Sequence, residues 1–169
     1  MSDLHKDIGS WINNWVSVYN ENLEAVPCPF AKQAYIDNKI DIHELCTTDS
    51  NSTAALIYNK LDLLTQNWPS DKEVVILGFD PTLIESSILE ETISNCNQTI
   101  LIPRGYVALE DHPDSPEIIA NETMNQGSWA LVLIQSKDKL SKASSILSRQ
   151  GYYKNWSKAN INDVVSWRD

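Results

Sequence analysis

Val74-Val75-Ile76-Leu77-Gly78-Phe79 is an unbroken apolar run, set between the turn signal Trp68-Pro69-Ser70-Asp71 and the helix-start signal Asp80-Pro81. A strand that is apolar on both faces belongs in the middle of a sheet covered on both sides. The chain reads outward from it in both directions. Asp80 caps a helix with Pro81 at its first position, running to about Asn95. Residues 99–102 then read as a third strand, ended at an edge by Pro103. Residues 129–135, Trp-Ala-Leu-Val-Leu-Ile-Gln, form a fourth and buried strand. Ser136 caps the last helix, and Gly151 closes it where a left-handed residue is wanted.

On the N-terminal side, Ser52 or Thr53 starts a helix through Asn67, with the stripe Ile57, Leu61, Leu64 and Trp68. A polar loop over residues 47–52 separates it from residues 39–46, which alternate like a strand. Residues 3–24 carry a helical stripe from Ile8 through Trp11, Ile12, Trp15, Val18 and Tyr19 to Leu23, with Ser2 as its cap. Pro27 and Pro29 cannot donate to a continuing helix and end it. Residues 30–36 make a further turn or two, started by Pro29. The order of elements implies a small α/β layered sandwich, with α+β as the alternative: a mixed sheet of about four strands with helices packed on it. Residues 1–169 form one domain, in which 1–26 dock as an amphipathic helix and 152–169 fold over the body as a tail.

A chain of 169 residues buries a full core without staples. Its net charge of −10 lacks the basic face that a nucleic-acid binder needs, and excludes that class. No run is long and apolar enough to span a bilayer, so membrane insertion is not expected. The acidic N-terminus has no secretion-signal layout, and three cysteines suit reduced thiols, so the expected location is the cytoplasm. A bias toward Asn, Ile, Lys and Ser hints at an AT-rich, phage-type gene, and then at the host cytoplasm.

Two segments stand out for chemistry. Cys28, in Val26-Pro27-Cys28-Pro29-Phe30-Ala31-Lys32, sits at a helix start, where unpaired N–H groups and the helix dipole favour thiolate. Lys32, one turn on, adds positive charge. The bland reading is a small buried residue in a proline-braced corner. His112 lies between Asp111 and Asp114, either of which would hold the imidazole in one tautomer, as a general base requires. Its bland reading is a loop histidine beside a turn-forming Pro113. Arg104 offers a cation for an anionic ligand, and Asn121 and Asn125 suit a polar pocket wall or a turn. His43 and Cys46 invite zinc, but positions three apart on a strand point to opposite faces, so no metal set is assigned. No cofactor is implied. The long stretch of residues 110–128 is of the kind that is functional or disordered.

The Cys-Pro-Phe-Ala box after a first amphipathic helix, with a later strand leading into His112-Pro113 and Asn121 downstream, resembles an uncharacterised family of small bacterial proteins. In this chain Asp114-Ser115 stand where that family has an aromatic. The resemblance implies that box and loop face one another. The leading expectation is therefore a pocket in which Cys28 serves as thiol and His112 as base, oriented by Asp111 or Asp114. That pocket would bind a small molecule and, in the fuller form of the reading, transform it. The alternative is a non-enzymatic acidic accessory protein that binds a partner protein, and a second alternative is a Cys/His metal-binding protein. Oligomeric state is not legible.

Overall fold

The computed structural model describes residues 3–46 and 52–168. Ser2, expected as a cap, and residues 47–51 of the expected polar loop lie outside them. Four strands make the main sheet: β1 (Ile40–Glu44), β2 (Val74–Phe79), β3 (Tyr106–Asp111) and β6 (Ala130–Ser136), in the order β1-β2-β6-β3. β1 and β2 pair in parallel, whereas β6 runs antiparallel to both β2 and β3. The sheet is mixed, and the fold is a layered α/β structure, as the pattern of apolar runs implies.

The alternation of β2 explains the layers. Val75, Leu77 and Phe79 point to one face, where α3 (Thr53–Gln66) and α4 (Ser86–Cys96) cover them with Ile57, Leu61, Leu89 and Ile93. Val74 and Ile76 point to the other, where α1 (Asp3–Trp11) supplies Leu4 and Ile8. Gly78 faces α1 as well, and a Cβ there would overlap the Leu4 side chain. Leu4 therefore seats α1 against bare backbone, and burying its methyls contributes about 2–5 kcal/mol on the scale of leucine truncations. Asp7 fixes the same contact from the side by accepting from Trp129 Nε1 at 2.9 Å.

Three expectations about element boundaries are corrected. The first helix does not run to Glu24: α1 passes into a π-helical turn, Ile12–Val16, and stops at Ser17. Cys28 N–H donates to Val16 O at 2.9 Å, and Asn20 pairs with Ala25, so the chain reverses before the prolines are reached. The helix after β2 is split into a 3-10 turn, Pro81–Leu83, capped by Asp80, and α4, which starts at Ser86. The strand expected at residues 99–102 is helical. α4 continues through a π-helical turn, Asn97–Leu101, into a 3-10 turn, Ile102–Arg104, which buries Ile100 and Leu101, and the strand begins only after Gly105 turns the chain at φ 84°.

Ser136 caps α5 (Lys137–Arg149), Gly151 follows it at φ 76°, and a short α2 (Ala31–Ile36) follows the Cys-Pro box, all as the sequence implies. Between β3 and β6 lies a hairpin of two-residue strands, β4 (Ile118–Ile119) and β5 (Glu122–Thr123), whose turn residues Ala120 and Asn121 both have positive φ. The tail folds as a 3-10 turn, Tyr152–Asn155, then α6 (Lys158–Val164) and a last turn, Ser166–Arg168. No helix among the described residues is long and apolar enough to cross a membrane.

Candidate functional site: an acidic cleft at the edge of the sheet

β3 is an edge strand, and its outward backbone groups need partners. Asn97 supplies them at Ala108. Its Nδ2 donates to Ala108 O at 2.9 Å, and its Oδ1 accepts from Ala108 N–H at 2.8 Å. One buried carboxamide thus stands in for a neighbouring strand, and the π-helical turn that begins at Asn97 places it there. The C-terminal half of β3 is left to line a cleft.

That cleft has a volume of about 690 Å³. It is lined by Ser86, Glu90 and Ser94 of α4, by residues 109–112 at the end of β3, and by residues 162–164 of α6 with Trp167. Trp11, Leu109, Leu133 and Met124 add apolar surface. Among the described residues five carboxylates line it, from Glu90, Glu110, Asp111, Glu117 and Asp163, and no lysine or arginine does. Burial pushes the Glu110 carboxyl above its ordinary range, with repulsion from Glu90, Glu117 and Asp111 adding to it. Asp111 is also raised by burial, against the hydrogen bonds it accepts from Gln126 N–H (2.9 Å) and Asn125 Nδ2 (2.7 Å). A second hollow of about 500 Å³, between α3 and the end of α4, is shallow and lined by Ala54, Ala55, Tyr58 and Asn59 without any charge.

Four of the sequence-selected residues belong to the first cleft or its rim. His112 is buried. Its Nδ1 accepts from Asp114 N–H (3.1 Å), so Nε2 carries the proton and is shared between Ile84 O (3.1 Å) and Pro81 O (3.2 Å). Both ring nitrogens are committed to backbone, and no lone pair is left to take a proton from a ligand. The imidazole ties the end of β3 to the loop before α4. Asp114 engages this ring mainly through its backbone: its own carboxylate is 4.0 Å from Nδ1 and 84% exposed. Asn125 cross-braces the loop by donating to Asp111 Oδ1 and to His112 O (3.0 Å) while accepting from Glu117 N–H (2.8 Å).

The other four lie elsewhere. Cys28 is not among the residues lining the cleft. The N–H groups of Phe30 and Ala31 do point at its sulfur, as a helix start implies, but burial outweighs them and pushes the thiol pKa up. Tyr152 closes the corner, its hydroxyl donating to Pro27 O. Lys32 is exposed on α2 and is not among the residues lining the cleft. Arg104 clamps the last turns of α3, donating to Asp62 Oδ1 (2.7 Å) and Thr65 Oγ1 (2.8 Å). Asn121 occupies the β4–β5 turn at φ 66°. His43 pairs with Asp41 across 2.9 Å, and Cys46 is exposed; among the described residues no group of three His, Cys, Asp or Glu side chains converges as a metal would need.

Asn97, Glu90, Glu117, Asp163, Trp11 and Trp167 are functional candidates that sequence reasoning did not select for a site. Trp11 carried a helical-stripe signal, and the acids carried none beyond the net charge. No family model, curated protein or solved structure matches the chain.

Proposed function

We propose that the protein is a non-enzymatic binding protein that holds a small organic cation, a linear molecule bearing several ammonium groups, in the cleft beside β3. The observation that carries this reading is the lining: among the described residues, five carboxylates without a lysine or arginine, interleaved with tryptophan and aliphatic surface in a volume suited to a small molecule. Burial is the main cause of the raised Glu110 carboxyl, repulsion from Glu90, Glu117 and Asp111 adds to it, and a bound cation would offset both. Trp11 and Trp167 offer faces for an ammonium or its adjoining methylenes.

Competing ligands fit less well. The carboxylates are spread along the walls and do not converge as a metal ion requires. An extended peptide would need the free edge of β3, and Asn97 already occupies its middle. Burial raises the Cys28 thiol pKa and both His112 nitrogens are bonded to backbone, so the reading is of binding without covalent chemistry.

Calorimetric titration with a linear triamine tests it. Wild type is expected to bind, with affinity falling as salt is added. Glu110→Gln combined with Asp163→Asn is expected to weaken binding at least roughly tenfold, about 1.4 kcal/mol. Absence of binding, or binding indifferent to both substitutions, overturns the reading.

A further inference from the structure

The wall of the cleft formed by the tail differs from the others in how it is held. α6 buries none of its residues, whereas α4, which also lines the cleft, buries Leu89, Ile93 and Cys96. Upstream of α6, Tyr152, Tyr153 and Trp156 pack edge-on and tilted against one another, and the Tyr152 hydroxyl reaches Pro27 O. Downstream, Arg168 is buried and its Nη2 donates to Ser144 Oγ on α5 at 3.2 Å. Between these anchors one side chain ties α6 to the body among the hydrogen bonds of the described residues. Asn160 Nδ2 donates to Glu117 Oε1 at 2.7 Å and to Ile118 O at 3.1 Å. Glu117 is itself a carboxylate of the cleft.

We infer that residues 158–168 form a strap over the cleft, anchored at both ends and latched in the middle by Asn160 on Glu117. Partly buried polar latches release at far lower free energy than packed elements, so the strap opens without unfolding the sheet. The latch and the ligand share an acceptor. A cation that draws the Glu117 carboxylate inward competes with Asn160, while Asp163 and Trp167 on the strap gain a partner. Occupancy and strap position are therefore coupled. The coupling rests on the cation-binding reading above; the strap itself does not.

Hydrogen exchange read by mass spectrometry on the full chain tests the strap without any ligand. Peptides within residues 158–165 are expected to exchange at least tenfold faster than those of β2 and β6. Asn160→Ala and, independently, Glu117→Ala are expected to speed exchange in 158–165 several-fold more, with β2 and β6 unchanged. Exchange of 158–165 in step with the sheet, or no response to either substitution, overturns the strap. Adding the triamine then addresses the coupling: slower exchange across 158–165 in wild type supports it, and binding that leaves this exchange unaltered overturns it. Failure of the triamine to bind removes the cation reading alone, because the ligand-free exchange decides the strap.

Discussion

The Cys28 corner and the β3 edge are built from similar means and end in opposite electrostatic states. Each places a polar, titratable group where hydrogen bonds are offered to it: two N–H groups at the Cys28 sulfur, a carboxamide and one N–H group around Asp111. In the corner the Tyr152 hydroxyl donates to Pro27 O beside a half-buried sulfur, and burial pushes the thiol pKa up. At the edge the sheet runs out. Asn97 satisfies one residue of β3, and beyond it charged side chains from four separate segments are left facing a hollow. Hydrogen bonds to a polar atom therefore do not by themselves make a site. What separates the two regions is whether space and uncompensated charge remain after the local bonds are made.

The comparison breaks first at His112. If the ring is a structural tie, His112→Ala empties a buried site and orphans two carbonyls, an expected loss of about 2–4 kcal/mol in denaturant unfolding. A base poised for chemistry would instead leave stability within about 0.5 kcal/mol of wild type, as surface substitutions do. Next is Asn97→Ala, which strips both partners from Ala108 and reopens the edge. Its expected cost is about 1–3 kcal/mol, accompanied by concentration-dependent self-association in sedimentation; a variant as stable and monomeric as wild type would show that the edge needs no plug.

The corner is tested by alkylation kinetics. In the native protein the exposed Cys46 is expected to react at least tenfold faster than Cys28 near neutral pH, and the gap is expected to close in denaturant. Rapid native modification of Cys28 would mean that the corner is open. The smallest effect belongs to Glu110→Gln. A carboxyl whose folded pKa lies above its unfolded value binds its proton more tightly when folded. Wild-type stability from this group is therefore fully present below about pH 4.3 and declines as pH rises through the raised folded pKa. The glutamine variant is expected to match wild type at low pH and exceed it above that window, by less than about 1 kcal/mol because the group keeps access to solvent. A variant less stable than wild type at neutral pH would reverse the sign of the effect.

Three of the four strands of the main sheet, β1, β2 and β6, were legible because their signals are local, and β3 was not. The apolar run of β2, the Asp80 and Ser136 caps and the glycine after α5 each act within a few residues. Residues 99–102, Thr-Ile-Leu-Ile, mislead for the same reason: their β propensity is genuine, but Ile100 and Leu101 reach the core by prolonging α4, and tertiary burial outweighs propensity. The end of α1 was obscured because a bond from Cys28 to Val16, and not a proline, sets it. At the site, Asp111, His112 and Asn125 lie in one loop and could be found together. Glu90 and Asp163 could not, since each is an ordinary surface acid until α4 and α6 are brought to the cleft beside β3. The closure of the corner by Tyr152 is equally invisible in Pro27-Cys28-Pro29, because it depends on a residue near the other end of the chain.

The most direct test of where ligands go is an amide chemical-shift map recorded while a linear triamine is titrated into the isotopically labelled protein. Shifts are expected to grow along residues 109–112, at Glu90 and Glu117, and across residues 162–167, with residues 26–32 unmoved. Shifts centred on residues 26–32 and 152–156, with the edge of β3 silent, would contradict the account.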